Sequence, residues 1–220
     1  MLNRLIAKIK SRMQARQMFD PTQFNDPIAQ QTEWRPAKRG GTNFRTHKLV
    51  DVSPYRLEFR VSTAATIFYI FFIVTGLGIA IPFTMVRLSA GDFGVNPETI
   101  APLAMGVVFT IVGVVMFYFG TRPIVFDQSK GYFWKGRKSP DEIYNRDQLK
   151  HFAELHNIHA LQIISEYVRS DKSSYYSYEL NLVLKDASRI NVIDHGNRNK
   201  LLEDAEKLSA FLGKKIWDAS

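Results

Sequence analysis

VSTAATIFYIFFIVTGLGIAIPFTMV (61–86) and IAPLAMGVVFTIVGVVMFYFG (100–120) decide how this chain is read. The first run holds no Asp, Glu, Lys, Arg or His over 26 positions and is bracketed by Arg60 and Arg87. The second is equally free of charge over 21 positions, with Arg122 just beyond it. A helix needs about 20 apolar residues to cross a hydrocarbon core about 30 Å thick. A helix of a soluble protein shows a polar face, and neither run has one. The expectation is a transmembrane helical hairpin over 61–120, with spans 61–86 and 100–120. Pro82 falls near the end of the first span, where a kink or last turn tolerates it.

Gly76 and Ala80 stand four apart in the first run; Gly106, Thr110 and Gly113 are spaced by four and three in the second. Small residues at that spacing let helix backbones approach closely. The stripe fits packing of the hairpin on itself or on another membrane protein. Asn96-Pro97-Glu98-Thr99 reads as a helix start, with Pro97 at a compatible position.

Charge sets the topology. Twelve Lys/Arg and five Asp/Glu precede the first run. The connecting loop sets Arg87 against Asp92 and Glu98, and Arg122, Lys130, Lys135, Arg137 and Lys138 follow the second run. Basic flanks stay in the cytoplasm, so both termini are expected there and the short loop outside. The net charge of +8 is concentrated beside the membrane runs, which suits anionic lipid headgroups better than nucleic acid, for which no motif is present. There is no cysteine, which excludes disulfides, thiolate catalysis and Cys-based metal sites. The first long apolar run begins too late for a cleavable signal peptide.

Residues 1–18 form a basic amphipathic pattern: Leu2, Leu5, Ile6, Ile9 and Met13 on one stripe, Arg4, Lys8 and Arg12 on another. Such a helix lies in the membrane interface with its cations toward phosphates. The same pattern fits docking on a partner, a frayed tail, or a transit peptide by composition. Residues 19–60 are rich in breakers (Asp20-Pro21, Asp26-Pro27, Arg35-Pro36, Gly40-Gly41, Ser53-Pro54) and read as an extended linker or arm. Its Trp34 and Phe44 are candidate anchors on a protein partner, the alternative being a plain membrane-proximal linker.

Residues 121–220 read as one α+β domain. Strands are expected at 123–126, 132–135, 159–169, 175–185 and 189–193. An amphipathic helix is expected over 197–212, ended by Gly213. Strands closed by one C-terminal helix define the class.

Ile124-Val125-Phe126-Asp127, Gly131-Tyr132-Phe133, Ile158-His159-Ala160-Leu161-Gln162-Ile163, the segments 180–185 and 189–193, and Ala210-Phe211-Leu212-Gly213 carry a resemblance. In that order they resemble the pleckstrin-homology-like (PH-like) fold of bacterial membrane-anchored proteins. The layout over 61–216, a helical hairpin and then this domain, is similar to the photosystem I assembly factor family. The resemblance implies a non-catalytic membrane scaffold or assembly factor. It does not carry lipid binding with it, because such bacterial domains often lack the basic headgroup pocket.

Four sets of residues bear on chemistry or contact. His151, His156 and His159, spaced by five and three, with Glu154 nearby, are the best candidates for a metal set, and ordinary surface or hydrogen-bonded histidines are the expected reading. Asp194-His195-Gly196 lacks a nucleophile elbow and reads as a strand-to-helix turn, with Gly196 supplying unusual backbone and Asn197 or Asn199 capping. Arg122, Lys135, Arg137 and Lys138 form a basic cluster, read either as a headgroup site or as a positive-inside flank. Tyr167, Tyr175, Tyr176 and Tyr178 flank a turn and are candidate protein-contact residues.

The expected function is therefore a non-enzymatic scaffold, assembly factor or accessory subunit of a membrane protein complex. It would bind partners through its arm, hairpin and PH-like domain, without a cofactor. The alternative is a lipid-headgroup-binding or sensing module.

Overall fold

Two Asp-Pro pairs in the basic arm start helical turns. The computed structural model of the chain describes residues 19–38, 40–91, 94, 96–144, 151–169 and 174–220. In it the Asp20 side chain accepts the Thr22 N–H and caps a 3-10 turn, Pro21–Phe24. Asp26 does the same for Ile28 at the start of α1, Pro27–Gln31. Proline fits both first positions because its missing N–H would have no helical partner there. Then follow β1 (His47–Ser53), β2 (Arg56–Val61), α2 (Thr63–Ser89) and α3 (Pro97–Gly120). Next come β3 (Ile124–Asp127), β4 (Tyr132–Lys135), β5 (Phe152–Glu154), β6 (Ile158–Arg169) and β7 (Ser174–Leu184). The chain ends with β8 (Arg189–His195), α4 (Arg198–Leu212) and β9 (Lys215–Ala219). The architecture is α+β with two long apolar helices.

Phe44–Leu155 forms one compact unit. Its sheet is an antiparallel meander in the order β1-β2-β3-β4-β5. The connection between the neighbouring strands β2 and β3 is the whole helical hairpin. β2 and β3 pair from Arg56↔Asp127 to Phe59↔Ile124, so α2 leaves and α3 returns at the same end of one strand pair. The hairpin is thus spliced into the sheet by two short joints. Ser62 makes the first, accepting the Ala65 N–H as a helix cap while its hydroxyl donates to the Arg45 carbonyl. One sheet face carries Leu57, Phe59, Phe126 and Phe133, all buried. On the other, Arg56, Glu58 and Arg60 alternate into one row. The buried Glu58 carboxylate accepts Arg56 at 2.6 and 2.7 Å and Arg60 at 2.7 Å. A buried carboxylate is tolerable only when its charge and lone pairs are met in this way.

The second unit combines Met1–Asn43 with His156–Ser220. Its sheet runs β8-β7-β6-β9, with β9 parallel to β6 and the remaining pairs antiparallel. A parallel neighbour requires a crossover, and α4 supplies it between β8 and β9. Asn197 caps α4 by accepting the Lys200 N–H, and Gly213 ends it at φ +65°. Leu201, Ala205 and Leu208 are the buried stripe of α4, which packs against β7 and β9.

Several expectations need correction. The arm is not a linker through residue 60: 47–61 is a β-hairpin whose two-residue turn is Pro54-Tyr55. Residues 121–220 are not one domain: β3–β5 belong to the hairpin-bearing sheet, and β6–β9 form another. The chain does not close on a helix, since β9 follows it. Asn197 caps α4 as read, but Gly196 is not among the positive-φ residues.

Candidate functional site

The hairpin interface is built from the small residues. α2 and α3 meet along Gly76, Ala80, Gly106, Thr110 and Gly113. A Cβ on Gly76 would lie 2.5 Å from the Thr110 backbone nitrogen and 2.6 Å from the Gly106 carbonyl. One on Gly106 would lie 2.9 Å from Ala80, and one on Gly113 would lie 2.7 Å from Ile73. The stripe is therefore spent within the hairpin. Ile67, Phe71, Val74, Val108 and Ile111 point away from it and are exposed. Only 17% and 11% of an 18-residue apolar window of each helix is buried within the chain, and both helices are long and apolar enough to cross a membrane.

At the C-terminal end of α3 the basic residues gather. The Arg122 guanidinium lies 4.3 Å over the Phe119 ring and 5.4 Å over Tyr118. Arg137 lies 4.8 Å over Tyr118 from its own strand-end loop, and donates to the Tyr118 carbonyl (3.0 Å) and to Thr121 Oγ1 (2.7 Å). A cation on the last carbonyls of a helix is favoured by the helix dipole. Lys138 is exposed beside Arg137, and Lys135 is half-buried on β4. Next to this cluster His47, a residue the sequence reading passed over, is half-buried at the start of β1. Burial and the charge of Lys135 depress its pKa to about 4, against the pull of the Arg122 and Gly120 backbone.

In the other unit the arm lies on its own sheet. Trp34 stacks with Phe24 (5.4 Å) and reaches Trp217 (5.9 Å). These rings, with Ile28, cover the buried residues Ala29, Ala160, Val183 and Trp217. Beyond them the contact is polar. Glu179, buried on β7, accepts the N–H groups of Ala37 (2.9 Å) and Lys38 (3.2 Å). Glu166 on β6 accepts those of Gly40 (3.1 Å) and Gly41 (3.4 Å). Gln162 donates to the Glu33 carbonyl, Arg189 to that of Arg35, and Tyr175 to that of Gly41. Register puts Ala160, Gln162, Glu166, Glu179 and Val183 on one face of the sheet. The arm covers that face from end to end.

Trp34 is therefore not a free anchor, and Tyr175 is engaged by the arm. Tyr167 and Tyr176 are directly paired across β6 and β7, with rings 5.1 Å apart, and both are more than half exposed. Tyr178 is half-buried opposite Ser165 and His195. Phe44 is 48% exposed. The turn at 170–173 and Arg4, Lys8 and Arg12 lie outside the described residues.

His159 Nε2 bonds Asp26 at 2.8 Å and its ring rests on Trp217, and His156 lies in a 3-10 turn, Leu155–Asn157. Burial pulls the Asp26 carboxyl up, but the bonds from His159 and the Ile28 N–H outweigh it and hold it below the usual carboxylate range. Among the described residues no group of three His, Asp or Glu side chains is placed to hold a metal ion. His195 Nδ1 accepts the Asn197 N–H, and Asp194 accepts Asn191, so this pair braces the turn into α4.

No protein-family model matches the chain, and neither a curated relative nor a solved structure is significantly similar to it.

Proposed function

We propose that the protein is a non-catalytic integral membrane scaffold or accessory subunit, anchored by α2 and α3 in a bacterial inner membrane with both termini cytoplasmic. The observation that carries this reading is the hairpin spliced between adjacent strands β2 and β3. Two lipid-length helices with exposed apolar sides would hold a folded sheet rigidly at the membrane surface. The basic residues at the strand side of the hairpin support cytoplasmic placement.

The partner-facing surfaces in this proposal differ from those expected at first. The arm over 19–43 is occupied by its own sheet. That leaves the outward sides of α2 and α3 and the exposed Tyr167–Tyr176 pair, tyrosine being a good contact residue where it is rigid and half wet. The PH-like reading is part of the proposal; the antiparallel run β6–β7–β8 followed by α4 supports it, and β9 lies outside what the resemblance implies. The reading as non-enzymatic rests on the cysteine-free sequence and the absence of a nucleophile motif.

The test is isolation of the full chain from native membranes in nanodiscs, with a photo-crosslinking residue at position 167 or 176. A discrete heteromeric crosslink, lost when the neighbouring tyrosine becomes serine, is the expected result. Recovery of membrane-integrated monomer without any crosslink from either position would overturn the scaffold reading.

A further inference from the structure

Several cations of the hairpin-bearing unit are paired. Arg56 and Arg60 lie against Glu58, and Lys130 lies against Asp141. Arg122, Arg137 and Lys138 differ: among the described residues no carboxylate lies within ion-pair distance of any of them. Arg122 and Arg137 nevertheless converge on one ring, at 5.4 and 4.8 Å from the centre of Tyr118. Two positive charges gathered at one aromatic ring reinforce each other's attraction for an anion. The ring and Phe119 hold the guanidinium planes in place, and both aromatics are about half exposed.

The place of this pair narrows the anion. It lies against the last turn of α3, where the long apolar run ends and the sheet begins. Tyrosine and arginine at that level match the headgroup layer of a bilayer. Arg137 is already fixed by the Tyr118 carbonyl and Thr121, so its remaining donors are pre-oriented. A planar guanidinium fork suits the oxygens of a phosphate.

We propose that Arg122, Arg137 and Lys138, on the Tyr118–Phe119 platform, form a binding site for the phosphate of an anionic phospholipid of the inner leaflet. The inference rests on the reading that α2 and α3 cross a bilayer.

Among the described residues the Arg122 side chain makes no hydrogen bond, while its backbone N–H donates to the Phe119 carbonyl at 3.4 Å, so Arg122→Gln leaves the bonding at the helix end intact. The full chain is reconstituted in nanodiscs of phosphatidylcholine with one part in five phosphatidylglycerol, and retained lipid is counted by native mass spectrometry after release. Melting in micelles is followed on addition of each lipid. The wild type should retain phosphatidylglycerol preferentially and melt higher with it. Arg122→Gln should lose about fivefold in that preference, and Arg122→Gln/Arg137→Gln about tenfold or more. Lys185→Gln/Lys215→Gln, with the same change in net charge elsewhere, should retain it. Equal retention by the wild type and Arg122→Gln overturns the proposal, as does equal loss in the Lys185/Lys215 control. So does an equal rise in melting temperature with soluble glycerol 3-phosphate, which would make the ligand a free phosphoester. Loss of the chain from membranes at alkaline pH would instead sink the bilayer reading itself.

Discussion

Gly76 and Thr110 face each other where α2 and α3 come closest, and a Cβ at position 76 would lie 2.5 Å from the Thr110 backbone nitrogen. Backbone cannot yield as a flexible side chain can. Gly76→Leu should therefore separate the helices and destabilise the hairpin by about 1–3 kcal/mol or more, measured as a lower melting temperature in micelles. Gly78, two residues on, meets nothing within 4 Å. Gly78→Ala should leave stability unchanged or raise it by up to about 1 kcal/mol, because alanine is the better helix former. Equal losses at the two positions would contradict the close-packed face.

The arm gives a second prediction. Glu179 holds the N–H groups of Ala37 and Lys38 from a position more than a hundred residues away in sequence. Glu179→Ala leaves both donors without their acceptor, at a cost of about 1–3 kcal/mol. Hydrogen exchange should accelerate at Ala37 and Lys38, and proteases should cut within 33–43, while the β1–β5 sheet keeps its protection. Unchanged exchange at these amides would show that the arm is held by something else.

His47 predicts an acid-labile hairpin-bearing unit. Its pKa is about 4 in the fold, against 6.5 for the free side chain. Between those values the unfolded chain binds the proton more readily than the folded one. Stability should therefore be fully present above pH 6.5, fall as the pH drops toward 4, and level off below it. The shift sets a ceiling of about 3 kcal/mol on the change. Denaturation of wild type and His47→Gln in micelles from pH 4 to 7 reads it directly. The variant should lose most of that slope, and parallel curves would rule His47 out as its source.

Much of this was legible in the sequence, for local reasons. α2 and α3 follow from uninterrupted apolar runs. β3, β4, β6, β7 and β8 follow from alternation and turns, and α4 from its three- and four-residue spacing with Asn197 and Gly213 at its ends. β1 and β2 were hidden because Ser53-Pro54 reads as a breaker where Pro54-Tyr55 is a hairpin turn, and because Arg56, Glu58 and Arg60 read as solvated charges although Glu58 is buried and neutralised by the two arginines. β9 is five residues long after a helix-ending glycine, with little periodicity to show. The small-residue stripe of the hairpin could be read because helix spacing defines it. The strapping of the arm could not, since its acceptors Glu166 and Glu179 are recruited across the whole length of the chain.

The central claim is that α2 and α3 cross a membrane while the strands at both ends of the hairpin stay on one side. The chain has no cysteine, so single cysteines report cleanly. Ser53→Cys in the β1–β2 turn, Gly94→Cys between the helices and Ser220→Cys are each exposed to a membrane-impermeant thiol reagent, in intact and in opened cells. The account predicts that position 94 is labelled in intact cells, and that positions 53 and 220 are labelled only after opening. Labelling of all three from the same side would contradict it.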